Sequence, residues 1–186
     1  MNTTLIVPGL NGSGSEHWQQ IWVAENPDAQ VVNQHDWQHP DLEEWIGALE
    51  YELLAHPGAI VVGHSLGALL VAHLARRPAA GHVGGALLVA PCDIRAVERL
   101  HPETVRFGSN PLRPLPFPSI TVVSGTDPYL TIENARRFAA IWGSGLIELG
   151  DAGHINPASG YGRWEEGYVL AASLAAGTGS VQALRA

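Results

Sequence analysis

The chain has 186 residues, of which 46% are hydrophobic and only 15% charged. Its formal net charge is -8 at pH 7, and Arg76-Arg77 and Arg136-Arg137 are isolated pairs, so nucleic acid is excluded as a partner. The single cysteine, Cys92, excludes an intrachain disulfide, and no apolar stretch approaches the roughly 20 residues of a membrane span. The first residues lack the positive region and the long apolar run of a secretory signal. One cytoplasmic domain spanning residues 1–186 is the expectation.

The apolar runs are short and do not alternate. Leu5-Ile6-Val7 reads as a first buried strand and Val31-Val32 as a second. Leu42, Trp45, Ile46, Leu49 and Leu53 then recur at helical spacing, with Asp41 placed to cap that helix. Ile60-Val61-Val62 is a third strand. A helix carrying Leu66, Leu69, Leu70, His73 and Leu74 follows it and ends before Pro78. Ala86-Leu87-Leu88-Val89 is a fourth strand. From Cys92 to Pro118 no strand is evident, and Pro111, Pro114, Pro116 and Pro118 block regular ladders. This segment reads as a long loop or short cap over one edge of the sheet. Ile120-Thr121-Val122-Val123 is a fifth strand. Ala135, Phe138, Ile141 and Trp142 mark a helix stopped by Gly143, and Leu146-Ile147 is a weaker sixth strand. A last helix runs from near Trp164 to Ala176. Such strands suit a mostly parallel sheet of about six strands covered by helices on both faces, an α/β fold.

Gly63-His64-Ser65-Leu66-Gly67 lies between the third strand and its helix. This is G-x-S-x-G in the strand–turn–helix setting of a nucleophile elbow. Ser65 is the expected nucleophile, and Gly63 and Gly67 let strand and helix backbones approach. A serine hydroxyl needs a base, and the base needs an orienting acid. In this arrangement the chain order is serine, acid, histidine. Asp127 follows the fifth strand and His154 follows the sixth, so all three stand at carboxyl ends of strands, where sites in open α/β sheets lie. Asp93 is the rival acid, in the irregular segment. Asp151 reads as a turn or cap residue, His64 as a supporting residue and Cys92 as a small buried one.

An oxyanion needs two N–H donors. Leu66, after the nucleophile, supplies one, and Leu10 or Asn11 in the glycine-rich loop after the first strand supplies the other. That loop has no lysine for a phosphate cradle, and Gly12-Ser13-Gly14 lacks the third glycine of a dinucleotide fingerprint. His17, Trp18, Trp37 and Phe117 are expected to line the substrate pocket, whereas Trp45, Trp142 and Trp164 fill the core. No metal-ligand spacing appears, and no metal or organic cofactor is expected.

Several motifs together resemble the retinoblastoma-binding protein 9 / YdeN group of small serine hydrolases, within the α/β-hydrolase superfamily. They are Val7-Pro8-Gly9-Leu10, His17-Trp18, Asp36-Trp37 with Pro40, and the elbow itself. Farther on come Ala86–Pro91, Leu115–Ser119, Thr126-Asp127-Pro128-Tyr129, and Gly153-His154-Ile155-Asn156 followed by Ser159-Gly160. The resemblance implies a compact hydrolase without the first strands and large cap of bigger relatives. The group's triad carries over onto Ser65, Asp127 and His154. The resemblance names no substrate; the serine, histidine and acid chemistry itself points to an ester, thioester or amide, on a small molecule or a short peptide. Some members are described as binding proteins, so a non-catalytic protein-binding module is the second reading, and an acyltransferase the third.

Overall fold

The computed structural model describes residues 3–177. Six strands form one sheet: β1 (Thr4–Val7), β2 (Ala29–Val31), β3 (Ala59–His64), β4 (Val83–Val89), β5 (Ser119–Val123) and β6 (Gly145–Glu148). Their order is β2-β1-β3-β4-β5-β6 and every neighbouring pair is parallel. The sheet is therefore parallel throughout rather than mostly so, and it has the α/β-hydrolase architecture. β2 ends one residue earlier than expected, with Val32 buried just beyond it.

The helices are α1 (Trp18–Glu25), α2 (Leu42–Ala55), α3 (Leu66–His73), α4 (Ile94–Leu100), α5 (Ile132–Trp142) and α6 (Glu165–Ala175). Successive strand residues point to opposite faces, so each buried strand feeds two cores. Leu5, Val7, Val61 and Leu88 pack with α2, α3, α4 and α5 on one face. Ile6, Ile60, Val62 and Leu87 pack with α1 and α6 on the other.

Local chemistry sets the helix ends. Asp41 caps α2, accepting from the N–H groups of Glu43 and Glu44, and those two acids stand at the positive end of the helix dipole. Thr131 caps α5, and Gly143 ends it in the left-handed conformation with φ 68°. Every residue of α3 from Leu66 to Ala72 is buried; a helix apolar on all sides belongs inside.

α1 and α4 are absent from the expected helices. α1 has eight residues, a histidine as its N-cap and no acid in its first turn, so it carries none of the usual start signals. α4 lies within the Cys92–Pro118 segment read as irregular; Asp93 caps it, accepting from Arg95 N–H. Among the described residues no helix is long and apolar enough to cross a membrane.

Candidate active site

β3 runs straight into α3, and Ser65 is the residue between them, with φ 55° and ψ -121°. Positive φ in a non-glycine residue is uncommon and strained. The glycines around it are there for space. A Cβ on Gly63 would sit 2.8 Å from the Ala68 backbone, and one on Gly67 would sit 2.1 Å from the Val7 carbonyl oxygen. The turn is thus wedged between the start of α3 and the end of β1.

β5 and β6 deliver the other two groups. Asp127 follows β5, with its side chain 3% exposed, and His154 follows β6 at 11%. His154 Nδ1 lies 2.9 and 3.0 Å from the two Asp127 carboxylate oxygens. His154 Nε2 lies 2.8 Å from Ser65 Oγ. The three residues expected to converge therefore do so, in hydrogen-bond contact. With Nδ1–H donating to the carboxylate, Nε2 is left as an acceptor for the serine proton.

Other side chains fix that line of contacts. Tyr129 N–H donates to Asp127 Oδ1 at 2.8 Å, and the Tyr129 ring packs 4.5 Å from the His154 ring. His154 N–H donates to Ser159 Oγ, and Ser159 Oγ–H donates to Asn156 Oδ1. Gly153 is confined by the same serine: a Cβ there would fall 2.4 Å from Ser159 Oγ, and its φ is +55°. Ser124 Oγ accepts from Ala152 N–H, and Thr126 Oγ1 accepts from Gly153 N–H, which ties the loop after β5 to the loop after β6. His64 Nε2 is 2.9 Å from the His154 carbonyl oxygen, to which it donates. Burial holds the His64 imidazole well below the usual histidine range, with the nearby His154 adding to the effect.

The rival groups do other work. Asp93 accepts from Arg95 N–H and Asn110 Nδ2 and serves as the α4 cap. Asp151 is exposed in its loop. Cys92 is fully buried, and burial pushes its thiol pKa up, with Asp127 also contributing.

The loop after β1 lies against the elbow. A Cβ on Gly9 would be 3.0 Å from Ser65 Cβ and 3.2 Å from Leu66 N. The N–H groups of Leu10 and Leu66 have no acceptor among the described residues. Asn11 differs: its N–H donates to the Trp37 carbonyl at 2.8 Å. Gln19, which the sequence did not single out, anchors this loop from behind. Its side chain is fully buried, donates to the Val7 and Val62 carbonyls, and accepts from Ser13 Oγ–H at 2.7 Å.

A cavity of about 520 Å³ opens over Ser65. It is lined by the loop after β1, by Val97 and His101, and by Asn156 and Pro157. Of the four residues expected to line it, only His17 does. Trp18 is 1% exposed and donates through Nε1 to the Ile155 carbonyl, beneath the site. Trp37 packs edge-on against Trp45 and supports the loop at Gly12. Phe117 is buried in the core shared with α2 to α5. Two of the lining groups not expected are His101 and Tyr129, joined by a hydrogen bond of 3.0 Å. His101 follows α4, so its place became visible only once that helix did.

The model of the serine hydrolase family matches residues 4–173. A YdeN-like hydrolase from Pectobacterium atrosepticum is 34% identical with a TM-score of 0.79, covering 94% of this chain and 91% of that one. The YdeN gene product of B. subtilis is 20% identical with a TM-score of 0.75, over 94% of this chain and 98% of that one. Esterase 2 of Thermogutta terrifontis, 17% identical, has the same fold, with a TM-score of 0.69 over 96% of this chain and 84% of that one. No curated protein matches the sequence. With the family model matching residues 4–173 and a 34% identical hydrolase aligned over 94% of its length, this chain belongs to the serine hydrolase family.

Proposed function

We propose that the protein is a carboxylesterase-like hydrolase that cleaves a small ester, thioester or amide through Ser65, His154 and Asp127. One observation carries this reading: the unbroken contact from Ser65 Oγ to His154 Nε2 at 2.8 Å and from His154 Nδ1 to Asp127 at 2.9 Å.

His154 Nε2 takes the Ser65 proton as Oγ attacks the substrate carbonyl. The negative charge that forms on the carbonyl oxygen is met by the N–H groups of Leu66 and Leu10. Leu10 is preferred to Asn11 because the Asn11 N–H already donates to Trp37. Each such donor stabilises the transition state by roughly 2.7–4 kcal/mol. The tetrahedral intermediate collapses as His154 gives its proton to the departing alcohol, thiol or amine. Water then attacks the acyl-enzyme, His154 accepts a proton from it, and the acid leaves with Ser65 restored. Asp127 holds the imidazole in the Nδ1–H tautomer and balances its charge in both halves. A cavity of only about 520 Å³ favours a short acyl group or a modest peptide over a long lipid chain. Cytoplasmic location remains the expectation from the sequence.

Labelling with a fluorophosphonate tests the reading. Folded wild type should react, while Ser65→Ala and heat-denatured protein should not. A folded wild type that resists the probe overturns the hydrolase assignment and puts a protein-binding module in its place.

A further inference from the structure

His17 is an unusual N-cap. Its Nδ1 accepts from Gln19 N–H at 3.2 Å, at the start of α1. That bond fixes the tautomer, because a neutral imidazole has one acceptor nitrogen and one donor. The proton therefore sits on Nε2. Burial, with His154 nearby, lowers the His17 pKa to about 4, so the ring stays neutral at working pH. Nε2–H has no acceptor among the described residues, and the ring lines the cavity over Ser65. It packs edge-on 4.9 Å from His64, whose ring lies 4.9 Å from that of His154. A donor left open on a cavity wall is available to an acceptor on the substrate.

The rest of the wall limits what that partner is. The ionisable side chains lining the cavity are Glu16, His17, His64, His101, Tyr129 and His154, and among the described residues no lysine or arginine lines it. A substrate carboxylate would find no cation there and would meet Glu16.

We infer that His17 is the specificity-determining donor of this cavity, and that it selects substrates with a neutral oxygen acceptor (a carbonyl, ether or hydroxyl) a few bonds from the scissile carbonyl. The inference rests on the hydrolase reading and names its substrate class: small, oxygenated and uncharged. A neutral hydrogen bond of this kind is worth on the order of tenfold in kcat/KM.

The test uses two p-nitrophenyl esters of equal chain length, the butyrate and the methoxyacetate, which differ by one methylene replaced with oxygen. After correction for their rates of alkaline hydrolysis, wild type should favour the methoxyacetate about tenfold. His17→Asn and His17→Ser keep a capping oxygen for Gln19 N–H but lack a donor at the Nε2 position, and should bring that ratio close to one. The p-nitrophenyl monoester of succinic acid should be at least about tenfold poorer than its methyl ester, because its charge is desolvated without a partner. Three results overturn the inference in a wild type that the fluorophosphonate labels. They are no preference for the ether, variants that slow both esters alike, and turnover of neither ester above the Ser65→Ala background. Preference for the succinate overturns the uncharged class. A wild type that is not labelled at all removes the hydrolase reading itself, so the two failures are told apart.

Discussion

Replacing Gly67 by alanine places a new carbon 2.1 Å from the Val7 carbonyl oxygen, 2.5 Å from that of Pro8 and 2.8 Å from the Val7 carbonyl carbon. All three neighbours are backbone atoms, so no rotamer change relieves the clash. An ordinary contact begins near 3.4 Å, and α3 and the end of β1 must part by about 1.3 Å to restore it. Overpacking of this kind costs about 1–3 kcal/mol, and a purely backbone clash belongs at the upper end of that range. The displacement also falls between Ser65, at the start of α3, and Leu10, just after β1. Misplacing reacting groups by about 1 Å costs on the order of 10²-fold in rate. Urea denaturation should therefore show a lower midpoint for Gly67→Ala, and fluorophosphonate labelling of its folded fraction should be about 10²-fold slower. Gly47 supplies the contrast: it is exposed in α2 with nothing near its missing Cβ. Gly47→Ala should stabilise the fold by about 0.5–1 kcal/mol and leave labelling alone. If Gly67→Ala matches wild type in both midpoint and labelling rate, the wedged turn described above is wrong.

Asp127→Asn should fold normally and react roughly 10³–10⁴-fold more slowly in ester turnover, since the amide no longer holds His154 in the Nδ1–H tautomer; a loss below tenfold would count against Asp127 as the orienting acid. Gln19→Leu leaves Ser13 Oγ–H and the Val7 and Val62 carbonyls without their partner, and should cost about 1–3 kcal/mol by urea denaturation. Cys92 is fully buried with a raised thiol pKa, so a disulfide reagent should modify it only as fast as the protein unfolds; rapid modification in native buffer would contradict its burial. Acid should weaken the fold through His17. Its folded pKa of about 4 lies below the unfolded value of 6.5, so the unfolded chain takes up the proton first and stability falls as pH drops from 6.5 toward 4. At pH 5 this one group accounts for up to about 2 kcal/mol. Midpoints measured from pH 7 to 4.5 should fall less in His17→Asn than in wild type.

The parts of the site that stand on strand ends could be read from the sequence, because a buried parallel strand announces itself by an unbroken apolar run and the residue after it is then fixed in space. Ser65, Asp127 and His154 are all of this kind. Residues set by tertiary packing alone could not be read so. Gln19 is a polar residue in a short helix lacking start signals, and nothing in its neighbours shows that its amide reaches two strands. Trp18, Trp37 and Phe117 look like pocket residues by type. Only the packing reveals that Trp18 lies beneath the His154 loop and that Trp37 props the loop after β1. The Cys92–Pro118 segment hid α4 because prolines crowd its far end, while the helix occupies its near end, capped by Asp93. With α4 unseen, Val97 and His101, which line the cavity, had no place to stand.

The side-chain web between the loops after β5 and β6 has a mechanical consequence. Ser124 and Thr126 stitch the two loops together, so Asp127 and His154 travel as a single stiff cassette, while Ser65 belongs to the separate block formed by β3 and α3. The reacting geometry then has one joint, lying between Ser65 Oγ and His154 Nε2. Two struts reach the cassette from outside it, from His64 Nε2 at the end of β3 to the His154 carbonyl at 2.9 Å and from Trp18 Nε1 on α1 to the Ile155 carbonyl at 2.8 Å. Both struts grip the backbone just C-terminal to the imidazole's own attachment point. The spacing between Ser65 and His154 is thereby held by backbone contacts as well as by the hydrogen bond between the two side chains.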